Sequence, residues 1–121
     1  MDSCLFCRII AGEIPSRKVY EDDSVYAFYD INPQAPVHVL LIPKKHIARI
    51  ENLEPSDADV MGHLMVAARK VGDLLGLSNG YRIVFNNGAD GGQEVEHIHL
   101  HLLGGLKMGW PPYQSSAPSS N

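Results

Sequence analysis

The chain has 121 residues, enough for one domain with a substantial core and too few for two independent ones. Apolar residues make up 45% and charged residues 20%, which excludes a disordered composition. The formal charge of −4 comes without a run of Lys or Arg, so a polynucleotide groove is excluded while a single nucleotide is not.

Met1-Asp2-Ser3-Cys4 lacks the basic start and long apolar core of a signal peptide, and no segment approaches the roughly 20 apolar residues of a membrane span. A cytoplasmic location without a membrane partner is expected. Cys4 and Cys7 are then expected as reduced thiols, which favours a metal site or simple burial over a structural disulfide.

In chain order, Leu5 to Ala11 predicts a short helix closed by Gly12, and Ile14-Pro15 breaks it. Val19-Tyr20-Glu21 and Val25-Tyr26-Ala27-Phe28-Tyr29 read as a hairpin around the polar turn Asp22-Asp23-Ser24. A rigid loop with two prolines runs from Asp30 to Pro36, and His38 to Ile42 predicts an apolar central strand stopped by Pro43. Ser56 is the expected N-cap of the one long helix, which reaches about Leu75 before Gly76. Val60, Leu64, Ala67, Val71 and Leu74 form one apolar stripe on it, and Met61, Met65, Ala68, Gly72 and Leu75 a second. A sheet needs about one stripe, leaving a homodimer contact or a deeper monomer core for the other. Tyr81 to Asn86 alternates as a further strand, and the domain is expected to span 1–113 ahead of a small, polar, disordered tail at 114–121.

Half of the six histidines lie in His97-Ile98-His99-Leu100-His101-Leu102-Leu103, which reads as one uninterrupted strand. Alternation then puts three imidazoles on one face and Ile98, Leu100 and Leu102 on the other. Upstream, Asn86-Asn87-Gly88-Ala89-Asp90-Gly91-Gly92-Gln93 has the amides and flexible backbone of a loop that wraps a phosphate. Taken alone, the same histidines also fit half-exposed imidazoles at a sheet edge or a His-x-His metal pair.

His97-x-His99-x-His101-x-x, with Gly91-Gly92-Gln93 before it and Gly104-Gly105 after it, resembles the signature of the histidine triad (HIT) family of nucleotide hydrolases and transferases. The resemblance extends through Cys4-Leu5-Phe6-Cys7-Arg8-Ile9-Ile10 with Glu13-Ile14-Pro15, Asp30 to Pro36 with His38, Ile42-Pro43-Lys44-Lys45-His46-Ile47, and Trp110-Pro111-Pro112. It is most similar to the branch of small homodimeric purine nucleoside phosphoramidases. The implied fold is α+β: a five-stranded antiparallel sheet with one short and one long helix, paired into a ten-stranded homodimer. The implied reaction hydrolyses adenosine or guanosine 5′-phosphoramidates, or aminoacyl adenylates, through a covalent nucleotidyl-histidine.

The resemblance implies His99 as nucleophile, with a carbonyl of the backbone near His97 accepting from its other ring nitrogen to fix the tautomer, His101 at the phosphate or bridging oxygen, and His38 in the ordering of the cluster. Asn86, Gln93 and the backbone near Glu94 and Val95 are expected on phosphate oxygens, and Asp30 on the ribose hydroxyls. Phe6, Ile9, Phe28 and Ile31 are candidates for the purine slot, and Trp110 for the leaving group or the second subunit. Ordinary core packing is the competing reading of those four apolar residues, and turn capping that of Asp30. Glu94 stands where better-known animal members carry serine; an ionised carboxylate there repels phosphate, so it must turn away or meet a cationic leaving amine. By resemblance, Cys4, Cys7, His46 and His97 would hold a structural zinc, although Cys-x-x-Cys alone fits two buried thiols or a redox pair equally. A dinucleoside polyphosphate hydrolase and a non-catalytic nucleotide-binding scaffold are the alternative functions.

Overall fold

The computed structural model describes residues 3–113, so the expected tail at 114–121 lies outside the described residues. The elements are α1 (Leu5–Ile10), β1 (Lys18–Glu21), β2 (Val25–Tyr29), β3 (Val37–Pro43), short 3-10 turns at Ile50–Asn52 and Pro55–Asp57, α2 (Ala58–Leu74), β4 (Arg82–Phe85) and β5 (Leu100–Gly104). The strands form one antiparallel sheet in the order β1-β2-β3-β5-β4. No helix among the described residues is long and apolar enough to cross a membrane.

Alternation along the central strands assigns the two faces of the sheet. Val25, Ala27, Val39, Leu41, Leu100 and Leu102 meet Leu64, Ala67, Ala68 and Val71 of α2 in the main core. On the other face Tyr26, Phe28, Leu40 and Ile42 meet Phe6 and Ile9 of α1 in a smaller cluster. His38 lies on this second face, in step with Leu40 and Ile42, as does His101, the register partner of Leu40. The long helix therefore supports the sheet from behind while the histidine face stays available.

The hairpin turn is held by Asp22, whose Oδ1 accepts from the Ser24 and Val25 amides at 2.8 Å each. Three sequence expectations change. The histidine strand begins at Leu100, and residues 97–99 precede it as irregular chain. Pro43 brings no N–H to continue the β3 ladder, and the Ile98 amide donates instead to Ile47 O at 2.7 Å. At the start of the long helix Ser56 is replaced in the cap position by Asp57, after a 3-10 turn. The Asp57 carboxylate is buried, accepts from the Glu54 amide at 2.9 Å and pairs with Lys45. Finally, the buried seam of α2 is drawn from both predicted stripes, as Leu64, Ala67, Ala68, Val71 and Gly72, while Met65 and Leu74 face outward. A flat sheet contacts a helix along one line, and that line runs between the two stripes.

Gly72 lets α2 close on the segment before β4: a Cβ there would lie 2.6 Å from Tyr81 Cε2, whereas a Cβ at Gly62 meets nothing within 4 Å. Gly62→Ala should therefore stabilise the fold by about 0.5–1 kcal/mol through helix propensity. Gly72→Ala should forfeit that gain and cost about 1 kcal/mol or more in displaced packing. Urea unfolding of the two variants checks this, and an equal gain at both positions would contradict the Tyr81 contact.

Candidate active site

Two histidines of the cluster carry rings whose tautomers are set by the backbone. His99 Nδ1 lies 2.8 Å from His97 O, and a carbonyl only accepts, so Nδ1 carries the proton and Nε2 keeps its lone pair. The Gln34 amide donates to His38 Nδ1 at 3.0 Å, so the His38 proton sits on Nε2. That Nε2–H faces His101 Nδ1 at 2.9 Å and Asp30 Oδ2 at 3.4 Å. His101 accepts at Nδ1 and therefore presents Nε2–H. This nitrogen is buried and has no hydrogen-bond partner among the described residues.

The rings thus expose opposite functions: a lone pair on His99 and an N–H on His101, with ring centroids 4.9 Å apart. Burial pushes the His99 imidazole below its ordinary value, partly opposed by its bond to the His97 carbonyl. Burial, followed by the proximity of His99 and His38, pushes His101 down to about 4. His38 is also lowered by burial, against the pull of Asp30. All three imidazoles are neutral near pH 7, the form in which these tautomers have meaning.

Two adjoining cavities share His99, His101, Asp30, Asn32 and Glu94. The apolar one, of about 360 Å³, is walled by Phe6, Ile9, Phe28, Leu40 and Val95. Phe6 packs edge-on to His99 with centroids 5.1 Å apart. Phe6, Ile9 and Phe28 are buried core and cavity wall at once, while Ile31, 98% exposed, stands at the mouth. The polar cavity, of about 370 Å³, adds His38, Gln34, Asn86 and Gly92. Asp30 serves its turn through Oδ1, which accepts from the Asn32 amide at 2.8 Å, and turns Oδ2 to His38. No Lys or Arg among the described residues lines either cavity.

Two expected site residues, Gln93 and the His97 ring, sit differently from the sequence reading. Gln93 accepts from the Gly88 amide and donates to Ala48 O and Val95 O, all within 2.9 Å. Its side chain is consumed in bracing the glycine loop, so it lines neither cavity. The same loop requires Gly91, where a Cβ would lie 2.5 Å from Asn87 O. Trp110 is 82% exposed under the Arg82 guanidinium, away from both cavities. The fully buried His97 ring does not join His99 and His101, because its segment precedes the alternating strand; its carbonyl is what it gives to the cluster. Conversely, the sequence reading missed Gln34, whose contribution is a backbone amide, and a backbone donor carries no side-chain signature.

The His97 ring turns to a second cluster. Its Nε2–H donates to Pro43 O at 2.8 Å, leaving Nδ1 unprotonated toward Cys4 Sγ at 3.4 Å, Cys7 Sγ at 3.6 Å and His46 Nδ1 at 3.2 Å. Cys7 Sγ lies 3.3 Å from His46 Nδ1, and the four donor atoms all fall within 4.8 Å of one another. Tetrahedral zinc with ordinary bond lengths demands S···N edges of about 3.5 Å and N···N edges of about 3.3 Å. The four S···N and N···N separations of His97 and of Cys7 with His46 have that spacing, and the carbonyl on the far side of His97 fixes the ligating tautomer.

The sequence matches the HIT domain over residues 11–108. A HIT family hydrolase from Legionella pneumophila is 53% identical, with a TM-score of 0.90 over 92% of this chain and 100% of that one. A histidine triad nucleotide-binding protein from Candida albicans is 38% identical, with a TM-score of 0.78 over 94% of this chain and 87% of that one. A 14 kDa zinc-binding protein of Zea mays is 49% identical across 89% of this chain and 86% of its own length. By domain match, sequence and fold alike, this chain belongs to the HIT family.

Proposed function

We propose that the protein is a purine nucleoside phosphoramidase that forms a nucleotidyl-histidine on His99. The observation that carries this reading is the pair of neutral rings with opposed tautomers at one cavity: an available nitrogen lone pair beside an unpartnered N–H. The base occupies the apolar cavity, Asp30 receives the ribose hydroxyls, and the α-phosphate lies against the histidines and Asn86. His99 Nε2 attacks phosphorus, and the electron pair of the P–N bond passes to the nitrogen, which departs as the amine with a proton from solvent. His101 Nε2–H holds a phosphoryl oxygen as charge moves through the transition state. Water then attacks the phosphorus, the phosphorus–His99 bond breaks, and the nucleoside monophosphate leaves.

The electrostatics favour this substrate class over a dinucleoside polyphosphate. Cavities that hold two carboxylates and no Lys or Arg among the described residues suit a single anionic phosphorus and oppose a polyphosphate chain. A homodimer is part of the reading: Met65, Val66 and Leu74 expose apolar surface on α2, and β4 is a half-exposed edge strand. Zinc held by Cys4, Cys7, His46 and His97 would be structural, since four protein ligands leave no position for substrate.

In a quench experiment with labelled AMP phosphoramidate, wild type should turn over and retain acid-labile label, and His99→Ala should lose the label and at least about 10³-fold in rate. Turnover by the alanine variant would overturn the nucleophile assignment. Purified protein should carry one zinc per chain by elemental analysis, and Cys7→Ser should lose most of it and unfold several degrees earlier. Undiminished zinc in that variant would overturn the ligand set.

A further inference from the structure

The cavity borders carry one carboxylate that the mechanism does not use. Glu94 adjoins the apolar cavity, the histidine cavity and a third space of about 450 Å³ beside Ser3, Cys4, Leu5 and His46. Gln93 Nε2 donates to Val95 O and to Ala48 O, which holds the backbone that carries Glu94 beside this junction. The nearby Glu96 is neutralised by Arg49, at 2.8 and 3.2 Å. Asp30 is engaged by the Asn32 amide and by His38. The Glu94 carboxylate is exposed and makes no hydrogen bond or ion pair among the described residues, and no Lys or Arg lines any of the three spaces. A free negative charge therefore faces the place where an anionic phosphate must bind. It opposes every phosphate equally, and it distinguishes substrates only through the charge of what the phosphate carries.

We infer that Glu94 selects the leaving group: the preferred substrates are nucleoside phosphoramidates whose departing amine bears a second, protonated nitrogen on a flexible tail, as in a diamine or a basic amino acid. This rests on the phosphoramidase reading and adds to it a substrate class. With the base in the apolar cavity and phosphorus at His99, the tail runs along the polar side, where its ammonium meets Glu94 and offsets the cost the carboxylate places on the phosphate. Neutral tails gain nothing there, and anionic tails are repelled. After the P–N bond breaks, the amine leaves with both nitrogens protonated and the nucleotide remains on His99.

The test uses three AMP phosphoramidates of matched length, made from 1,5-diaminopentane, pentylamine and 6-aminohexanoate. In wild type kcat/KM should favour the ammonium tail over the alkyl tail by about five-fold and over the carboxylate tail by about twenty-fold, the scale of a solvent-accessible ion pair. Glu94→Gln should bring the three within about two-fold of one another, and added salt should shrink the wild-type ratios. Calorimetric binding of the same conjugates to the His99→Ala protein reads the preference without chemistry. Equal turnover of all three by wild type, or ratios unchanged in Glu94→Gln, would overturn the Glu94 assignment and leave the phosphoramidase reading standing. Tighter binding of the ammonium conjugate with no turnover of any would do the reverse. Failure of all three to bind would overturn both.

Discussion

The hydrogen bond from His99 Nδ1 to the His97 carbonyl is short and buried, and it holds only while residues 97–99 keep their path across the end of β3. That path is fixed at three points: the Ile98 amide on Ile47 O, the His97 ring on Pro43 O, and the His97 ring again among Cys4, Cys7 and His46. His97 is therefore a hinge pin between two sites. Its ring belongs to the thiol cluster, its carbonyl determines which nitrogen of His99 keeps its lone pair, and both are carried by one residue. On the opposite side of the cavity the Gln34 amide plays the matching part, setting His38 and through it His101. A pair of backbone groups, a carbonyl and an amide, thus leaves one ring with a lone pair and the other with a proton.

The sheet makes this possible by dividing labour between its faces. Leu100 and Leu102 fill the core under α2, while His101 emerges on the far side beside Leu40 and His38. The buried imidazoles stay neutral because the same packing that orders them withholds the water that would solvate a charge, and His101 falls to about 4 for that reason first. Under the proposed function, a site without Lys or Arg among the described residues holds its phosphate with neutral donors. Among the described residues the carboxylates of Asp30 and Glu94 line its cavities, and no Lys or Arg does.

Much of this was legible in the residues, with limits that have physical causes. The hairpin at 22–24 and the central strand follow from alternation and turn chemistry, while the α+β class came from the family resemblance. The histidine run read as continuous strand because His-x-His-x-His alternates perfectly, and nothing in that pattern shows that Pro43 ends the partner ladder. The start of α2 was displaced because the buried Asp57 pairs with the exposed Lys45, residues that no local rule connects. Gln93 looked like a phosphate donor by type and position, yet its amide is wholly used in bracing its own loop. Gln34 was invisible, since its contribution is a backbone N–H. The thiol pair of the second cluster was legible as a candidate, but its histidines only through family resemblance, because His46 and His97 are brought to Cys4 and Cys7 by tertiary contacts.

The most direct test of the account is ring-nitrogen NMR of the histidines, followed from about pH 7 down to about pH 5. The structure predicts His99 protonated on Nδ1, His38 and His101 protonated on Nε2, and His101 still neutral at the acid end, given its fall to about 4. A His99 ring protonated on Nε2, or a His101 that gains its charge near the ordinary histidine value of about 6.5, would contradict the claim that backbone groups and burial together set the chemistry of this site.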